Sequence, residues 1–140
     1  GPLLDSLKQK SSGPVAFLGF KQGEELNRLI QQAAFVVVPS EWYENNPLTI
    51  IESMTLGTPV IGSRIGGIPE LIEENKTGFL FRAGSAAHLS EAIAKARRLD
   101  AGSYRAMTEA ARVFARDNFS KEAHYQRLMQ IYESALQTAR

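Results

Sequence analysis

The chain has 140 residues, a formal net charge of +1 and no cysteine. With 44% hydrophobic and 22% charged residues it reads as one globular domain that needs no covalent staples, which excludes a disordered chain. Near-neutral charge argues against nucleic acid as the main partner, the missing cysteine excludes disulfides, thiolate zinc sites and thiol nucleophiles, and no apolar run approaches the ~20 residues of a membrane-spanning helix. A soluble, cytoplasmic protein is expected.

In chain order, Leu3, Leu4 and Leu7 fall on one helical face, with Pro2 at a first-turn position and no strand before them. The opening looks like that of a chain cut from something longer. Val15–Leu18 is a short apolar run ending at Gly19 and is expected to be a buried strand. Glu24–Ala33 carries Leu26, Leu29, Ile30 and Ala33 at helical spacing. Ala34–Val38 is uncharged and rich in valine, as parallel strands covered on both faces tend to be. After Pro39 and Ser40 comes a polar and aromatic loop, Glu41 to Asn46, and then a helix over Pro47–Leu56 that Gly57 closes. Pro59–Gly62 is the next strand. Gly66 and Gly67 lead into a short helix over Pro69–Glu74, Asn75–Gly78 turns, and Phe79–Phe81 is a last strand. The rest is helical, with stripes at Ala86, Leu89, Ile93 and Ala96 and at Met107, Ala111 and Phe114. Ser120 caps a final helix striped by Tyr125, Leu128, Tyr132, Ala135 and Ala139. Strands alternating with helices predict a parallel sheet wrapped by helices, with ligands on the loops beyond the carboxyl ends of the strands.

One of those loops carries unusual chemistry. Glu44 and Glu52 are separated by seven residues, and Glu52 is the single charge between Pro47 and Gly62. An acid buried in so apolar a run needs a partner or a ligand. Asn46 and Pro47 suit the cap and first residue of a helix, so Leu48, Thr49 and Ile50 would present N–H groups to a phosphate. Glu52 would then lie about 7.5 Å further along the axis at 1.5 Å per residue, roughly the span from a diphosphate to its ribose. Its carboxylate can accept from both ribose hydroxyls. Glu44 sits on the other side of the phosphate position, where a sugar attached to the diphosphate would project. The bland alternative is a surface acid and a helix-cap acid. Arg64 either reaches a phosphate or is an ordinary loop arginine. The glycine pair is either an anion-binding nest or a tight turn. Trp42 and Tyr43 either shape a sugar pocket or anchor the loop. His88 and His124 read as surface or structural, and Glu70 as stabilising its own helix start. The run Arg97, Arg98, Arg105, Arg112 and Arg116 reads as a solvated face, with an anionic membrane surface the second choice.

These pieces, in this order, resemble the donor-binding signature of the retaining glycosyltransferases of family 4, which have the GT-B fold. The shared motifs are Pro39–Ser40, Glu44 with Glu52, Gly57–Thr58–Pro59–Val60, Gly66–Gly67–Ile68–Pro69–Glu70 and Asn75–Leu80, and the match runs from Gly1 to Phe119–Ser120. The resemblance implies an α/β, Rossmann-like parallel sheet flanked by helices, residues 1–140 being the C-terminal half of a GT-B enzyme, truncated at its N-terminus. It implies that Glu52 binds the ribose, that Glu44 is the catalytic-site acid facing the donor sugar, and that backbone amides around Asn46, Leu48 and Thr49 hold sugar and diphosphate. Ser40, Asn45, Pro47 and Arg64 belong to the same donor-binding set, and Gly19, Phe20 and Lys21 would line the base. Sugar transfer would proceed with retention and without a metal or other cofactor, from a UDP-, GDP- or ADP-sugar to a glycan, lipid or small acceptor.

Asn45–Asn46–Pro47 departs from the glycine and aromatic that often follow the first acid of the family, which blurs the identity of the sugar. The family's donor domain also has two earlier strands, with a loop whose Arg and Lys neutralise the diphosphate, and an acceptor domain; none of these precedes Gly1. The expectation is an inactive fragment of an active parent, the parent with peripheral membrane contact as a further partner. Without the earlier strands, Val15–Leu18 either pairs directly with Ala34–Val38 or leaves an edge that invites self-association. The rival readings are a sugar-nucleotide epimerase on the same fold and a non-catalytic nucleotide-binding module.

Overall fold

In a computed structural model, which describes residues 2–138, uncharged runs build the sheet. β1 (Val36–Val38), β2 (Val60–Ser63) and β3 (Gly78–Phe81) are parallel and lie in the order β1-β2-β3. Helices α1 (Leu4–Lys10) and α2 (Gly23–Gln32) precede them. α3 (Leu48–Thr55) joins β1 to β2 and α4 (Ile68–Leu71) joins β2 to β3. α5 (Ala86–Arg97), α6 (Ala101–Phe119) and α7 (Lys121–Thr138) follow. This is the expected α/β class, a parallel sheet flanked by helices.

Alternation along the strands divides the core in two. Val38 and Val60 face Ile50 and Met54 of α3, Ile68 and Leu71 of α4, and Ala111 and Ala115 of α6. Ile61, Phe79 and Phe81 face Ala92 and Ala96 of α5 and Met107 of α6. Every residue of β2 is buried, as a central parallel strand covered on both faces requires. Alanines at 111 and 115 let α6 lie close against α3, which fixes where α3 begins. Gly57 ends α3 with φ +84°, the left-handed conformation expected of it. Asn75 supplies the turn before β3 with φ +64°.

Three expectations are corrected. Val15–Leu18 forms no strand, and Val15, Phe17 and Leu18 are exposed. Strand structure needs a hydrogen-bonded neighbour, and β1 is the sheet's edge with no strand beyond it among the described residues. Direct pairing of 15–18 with β1 therefore does not occur. Their end instead walls a groove of about 430 Å³ against α2 and Val36. The leucine face of α1 is not covered, since no residue of α1 is buried. The stripe on α7 is not buried either. Tyr125 and Tyr132 are exposed and Leu128 is half-buried, α7 making its main contact with the domain along α6. Gly1 and Ala139, assigned to the first and last helices by sequence, lie outside the described residues. Ser120 does cap α7, its hydroxyl accepting from the N–H of Ala123 at 3.1 Å.

Asp100 caps α6, accepting from the N–H groups of Gly102 at 2.8 Å and Ser103 at 2.9 Å. The Ser103 backbone bond, then its hydroxyl, then the Gly102 bond hold the carboxyl below its ordinary value of 3.8. A carboxyl lowered on folding stabilises the native state above its unfolded pKa and loses that contribution as pH falls through the folded one. Asp100→Ala is therefore expected to lower the melting temperature at pH 7, with the difference from the parent closing in acid. Thermal melts of both proteins from pH 7 to pH 3 check this, and a gap that does not narrow contradicts it.

Candidate functional site

The carboxyl ends of β1 and β2 deliver two serines to one place. The register pairs Val38 with Gly62, so Ser63 emerges beside Pro39–Ser40. The buried Ser63 hydroxyl donates to the Ser40 carbonyl at 2.7 Å. The Ser40 hydroxyl in turn donates to the Glu44 carboxylate. Glu44 is held from a second side by its backbone, where the Gly67 N–H donates to its carbonyl at 2.8 Å.

The glycine pair makes that second contact sterically feasible. A Cβ at Gly66 would lie 2.5 Å from the Glu44 carbonyl oxygen, and one at Gly67 would lie 2.0 Å from that of Asn45. The pair is thus a site of close backbone approach. Sequence reasoning left its purpose open and gave Ser63 no role at all. The available signal was a serine closing each of two neighbouring strands.

From Glu44 the chain passes through exposed Asn45 and Asn46 to buried Pro47 and into α3. The helix starts one residue later than expected. Pro47, with φ −67° and ψ 108°, is the cap, and Asn46 makes no side-chain capping bond. The Ile50 N–H is taken by the Pro47 carbonyl at 3.1 Å, leaving Leu48 and Thr49 as the amides without an acceptor among the described residues. No acid occupies the first turn, so nothing on the helix offsets the positive end of its dipole.

Glu52 is exposed rather than buried. α3 buries Ile50, Ser53 and Met54, and Glu52 lies on the opposite side with Leu48, Thr49 and Thr55. The expectation of a buried acid fails because helical periodicity, not the local scarcity of charge, sets its direction. What the structure does provide is a helix start without a side-chain cap at Leu48 and Thr49 and, four residues or about 6 Å of helix rise further on, an exposed Glu52.

The remaining candidates lie on the segments outside α3. Gly19, Phe20 and Lys21 lie on the exposed segment before α2, Gly19 with φ +70°. Lys21 pairs with Glu25 at 2.5 Å. No hydrogen bond or ion pair ties these residues to Glu44 or α3 among the described residues. Arg64 pairs with Glu74 at 2.9 Å, in a cleft it shares with Arg82, His88 and Lys95. Trp42 and Tyr43 project from the loop, 82% and 89% exposed. Asn45 and Asn46 also line a cleft of about 380 Å³ with Glu70, Asn118 and Arg127. Among the described residues no group of three or more His, Asp or Glu side chains is placed to hold a metal ion, and no helix is long and apolar enough to cross a membrane.

Residues 5–114 match the family of glycosyl transferases group 1. A sulfoquinovosyl transferase of Arabidopsis thaliana is 38% identical over 71% of this chain and 19% of its own length. The amylovoran biosynthesis glycosyltransferase AmsK of Erwinia amylovora is 32% identical over 85% of this chain and 30% of its own. Among solved structures, sucrose-phosphate synthase from Thermosynechococcus elongatus superposes with a TM-score of 0.81 at 29% identity, over 98% of this chain and 34% of that one. The HepE protein of Anabaena, solved with UDP-glucose, superposes at 0.79 and 25% identity, over 95% of this chain and 36% of its own. The chain thus spans about a third or less of each of these relatives. The match over residues 5–114, which takes in the Glu44 loop and the whole of α3, shows that the chain belongs to the glycosyl transferases group 1 family.

Proposed function

We propose that this chain is the donor-binding part of a retaining, family 4 glycosyltransferase with the GT-B fold, and that it holds a nucleoside-diphosphate sugar at the start of α3. The observation that carries the reading is an uncompensated helix start with two unclaimed amides, Leu48 and Thr49, followed about one turn later by the exposed Glu52. The Leu48 and Thr49 N–H groups receive the diphosphate, the Glu52 carboxylate accepts from the ribose hydroxyls, and Glu44 meets the donor sugar.

In transfer, negative charge grows on the departing diphosphate. Amides fixed by a packed helix stabilise that charge without reorganising, the most effective kind of electrostatic help. Glu44 orients the sugar for attack from the face the leaving group departs. The acceptor, a glycan, a lipid or a small molecule, is bound by other parts of the parent protein. The free edge of β1 is where a further strand, or a second copy of the chain, would pair.

Titration calorimetry with UDP, GDP and ADP tests the nucleotide half of the reading. Glu52→Ala is expected to weaken the preferred nucleotide by about 10-fold or more, the worth of a hydrogen bond to a charged group. An unchanged affinity would remove Glu52 from the ribose site.

A further inference from the structure

The two serines at the strand ends do more than close β1 and β2. We propose that Ser40 and Ser63 are positioning residues that aim the Glu44 carboxylate at the sugar of the donor, an assignment that rests on the function proposed above. Glu44 sits in a loop whose neighbours on both sides are exposed: Glu41, Trp42 and Tyr43 before it, Asn45 and Asn46 after it. The exposed side chains beside it do not fix the direction of its carboxylate. Three hydrogen bonds restrict it instead. The Gly67 N–H holds the Glu44 carbonyl, the Ser40 hydroxyl holds its carboxylate, and the Ser63 hydroxyl holds the Ser40 carbonyl.

The anchor of this series is Ser63, fully buried in the central strand and hydrogen-bonded throughout. Rigidity therefore passes from the best-packed strand, through one hydroxyl to a backbone carbonyl and through a second hydroxyl to the acid. A carboxylate offers about four acceptor sites, so the bond from Ser40 leaves most of them for sugar hydroxyls. Preorganisation of this kind lowers the entropy lost when the ligand is ordered. It acts on the sugar and not on the nucleotide, since Leu48, Thr49 and Glu52 lie on α3, which is fixed by its own core contacts.

The test uses the chain without ligand and then with UDP or UDP-glucose. Ser40→Ala is expected to lower the ¹⁵N order parameters of residues 41–45 from the rigid range near ~0.85 toward ~0.6. It is also expected to weaken UDP-glucose about tenfold while leaving UDP within about twofold. Ser40→Thr, which keeps the hydroxyl, restores both. Ser63→Ala moves the same two readouts in the same direction, and Ser63→Thr restores them. Unchanged loop order together with unchanged UDP-glucose affinity in Ser40→Ala overturns the proposal. An equal loss of UDP and UDP-glucose with the loop still ordered overturns it too, since Ser40 would then touch the diphosphate itself. If the parent chain binds neither UDP, GDP, ADP nor their glucose conjugates, the donor-site reading fails and takes this assignment with it.

Discussion

Gly67→Ala is expected to dislodge the Glu44–Asn45 loop and with it the capacity to hold a sugar nucleotide. The new methyl would sit 2.0 Å from the Asn45 carbonyl oxygen, whereas carbon and carbonyl oxygen ordinarily approach no closer than about 3.3 Å. The obstacle is backbone, so no side chain can swing aside, and the loop has to retreat by about an ångström. Errors of that size in a group that places substrate cost about 10²-fold. We therefore expect UDP-glucose binding to fall by one to two orders of magnitude. Overpacking of this kind costs about 1–3 kcal/mol in stability, so the melting temperature should also fall by several degrees. Amide chemical shifts of Glu44 and Asn45, a melt and a UDP-glucose titration check it. Parent-like values in all three would show that the glycine pair is not a clamp.

Ile50→Ala is expected to remove a large share of the stability of the domain. Ile50 is fully buried in the cluster that α3 shares with Val38, Val60, Ala111 and Ala115. Truncating a buried isoleucine costs about 2–5 kcal/mol, against a total of about 5–15 kcal/mol for an ordinary domain. The same helix supplies its own control. Leu48, two residues earlier, is 63% exposed, and Leu48→Ala should stay within about 0.5 kcal/mol. Urea denaturation of the two variants measures the contrast. Equal losses would mean that α3 is not anchored through its Ile50 face, and the placement of its amides and of Glu52 would lose its basis.

The sheet and the helices around it were legible where a run's own chemistry decides its state. Ala34–Val38 and Pro59–Gly62 announce strands because β-branched and small apolar residues with no charge suit the ladder, but only the second is covered on both faces: β1 lies at the edge and leaves Val37 exposed. Gly57 marks the end of α3 because the position needs a positive φ. Val15–Leu18 has similar composition but forms no strand, since a strand is a property of a pair and this run has no partner among the described residues. Glu52 misled for a related reason. Its surroundings in sequence are apolar, yet Ile50 and Met54 take the inner side of the helix and turn position 52 outward. At the candidate site, the loop after β1 and the start of α3 could be read directly. The hold on Glu44 could not, because Ser63 and Gly67 meet it only through the register of two strands and the approach of two loops.

The sheet's strand order has a consequence for how the domain is made. Each strand pairs with its nearest strand in the chain, Val36 with Val60 and Val60 with Gly78. The entropy lost in closing a loop rises with the logarithm of its length, so joining each strand to its nearest neighbour in the chain keeps that loss small for a parallel sheet. Among the described residues, 36–81 contain the whole ladder, so all three strands precede α5 and α6, the helices whose alanines and Met107 complete the cores on the sheet's two faces.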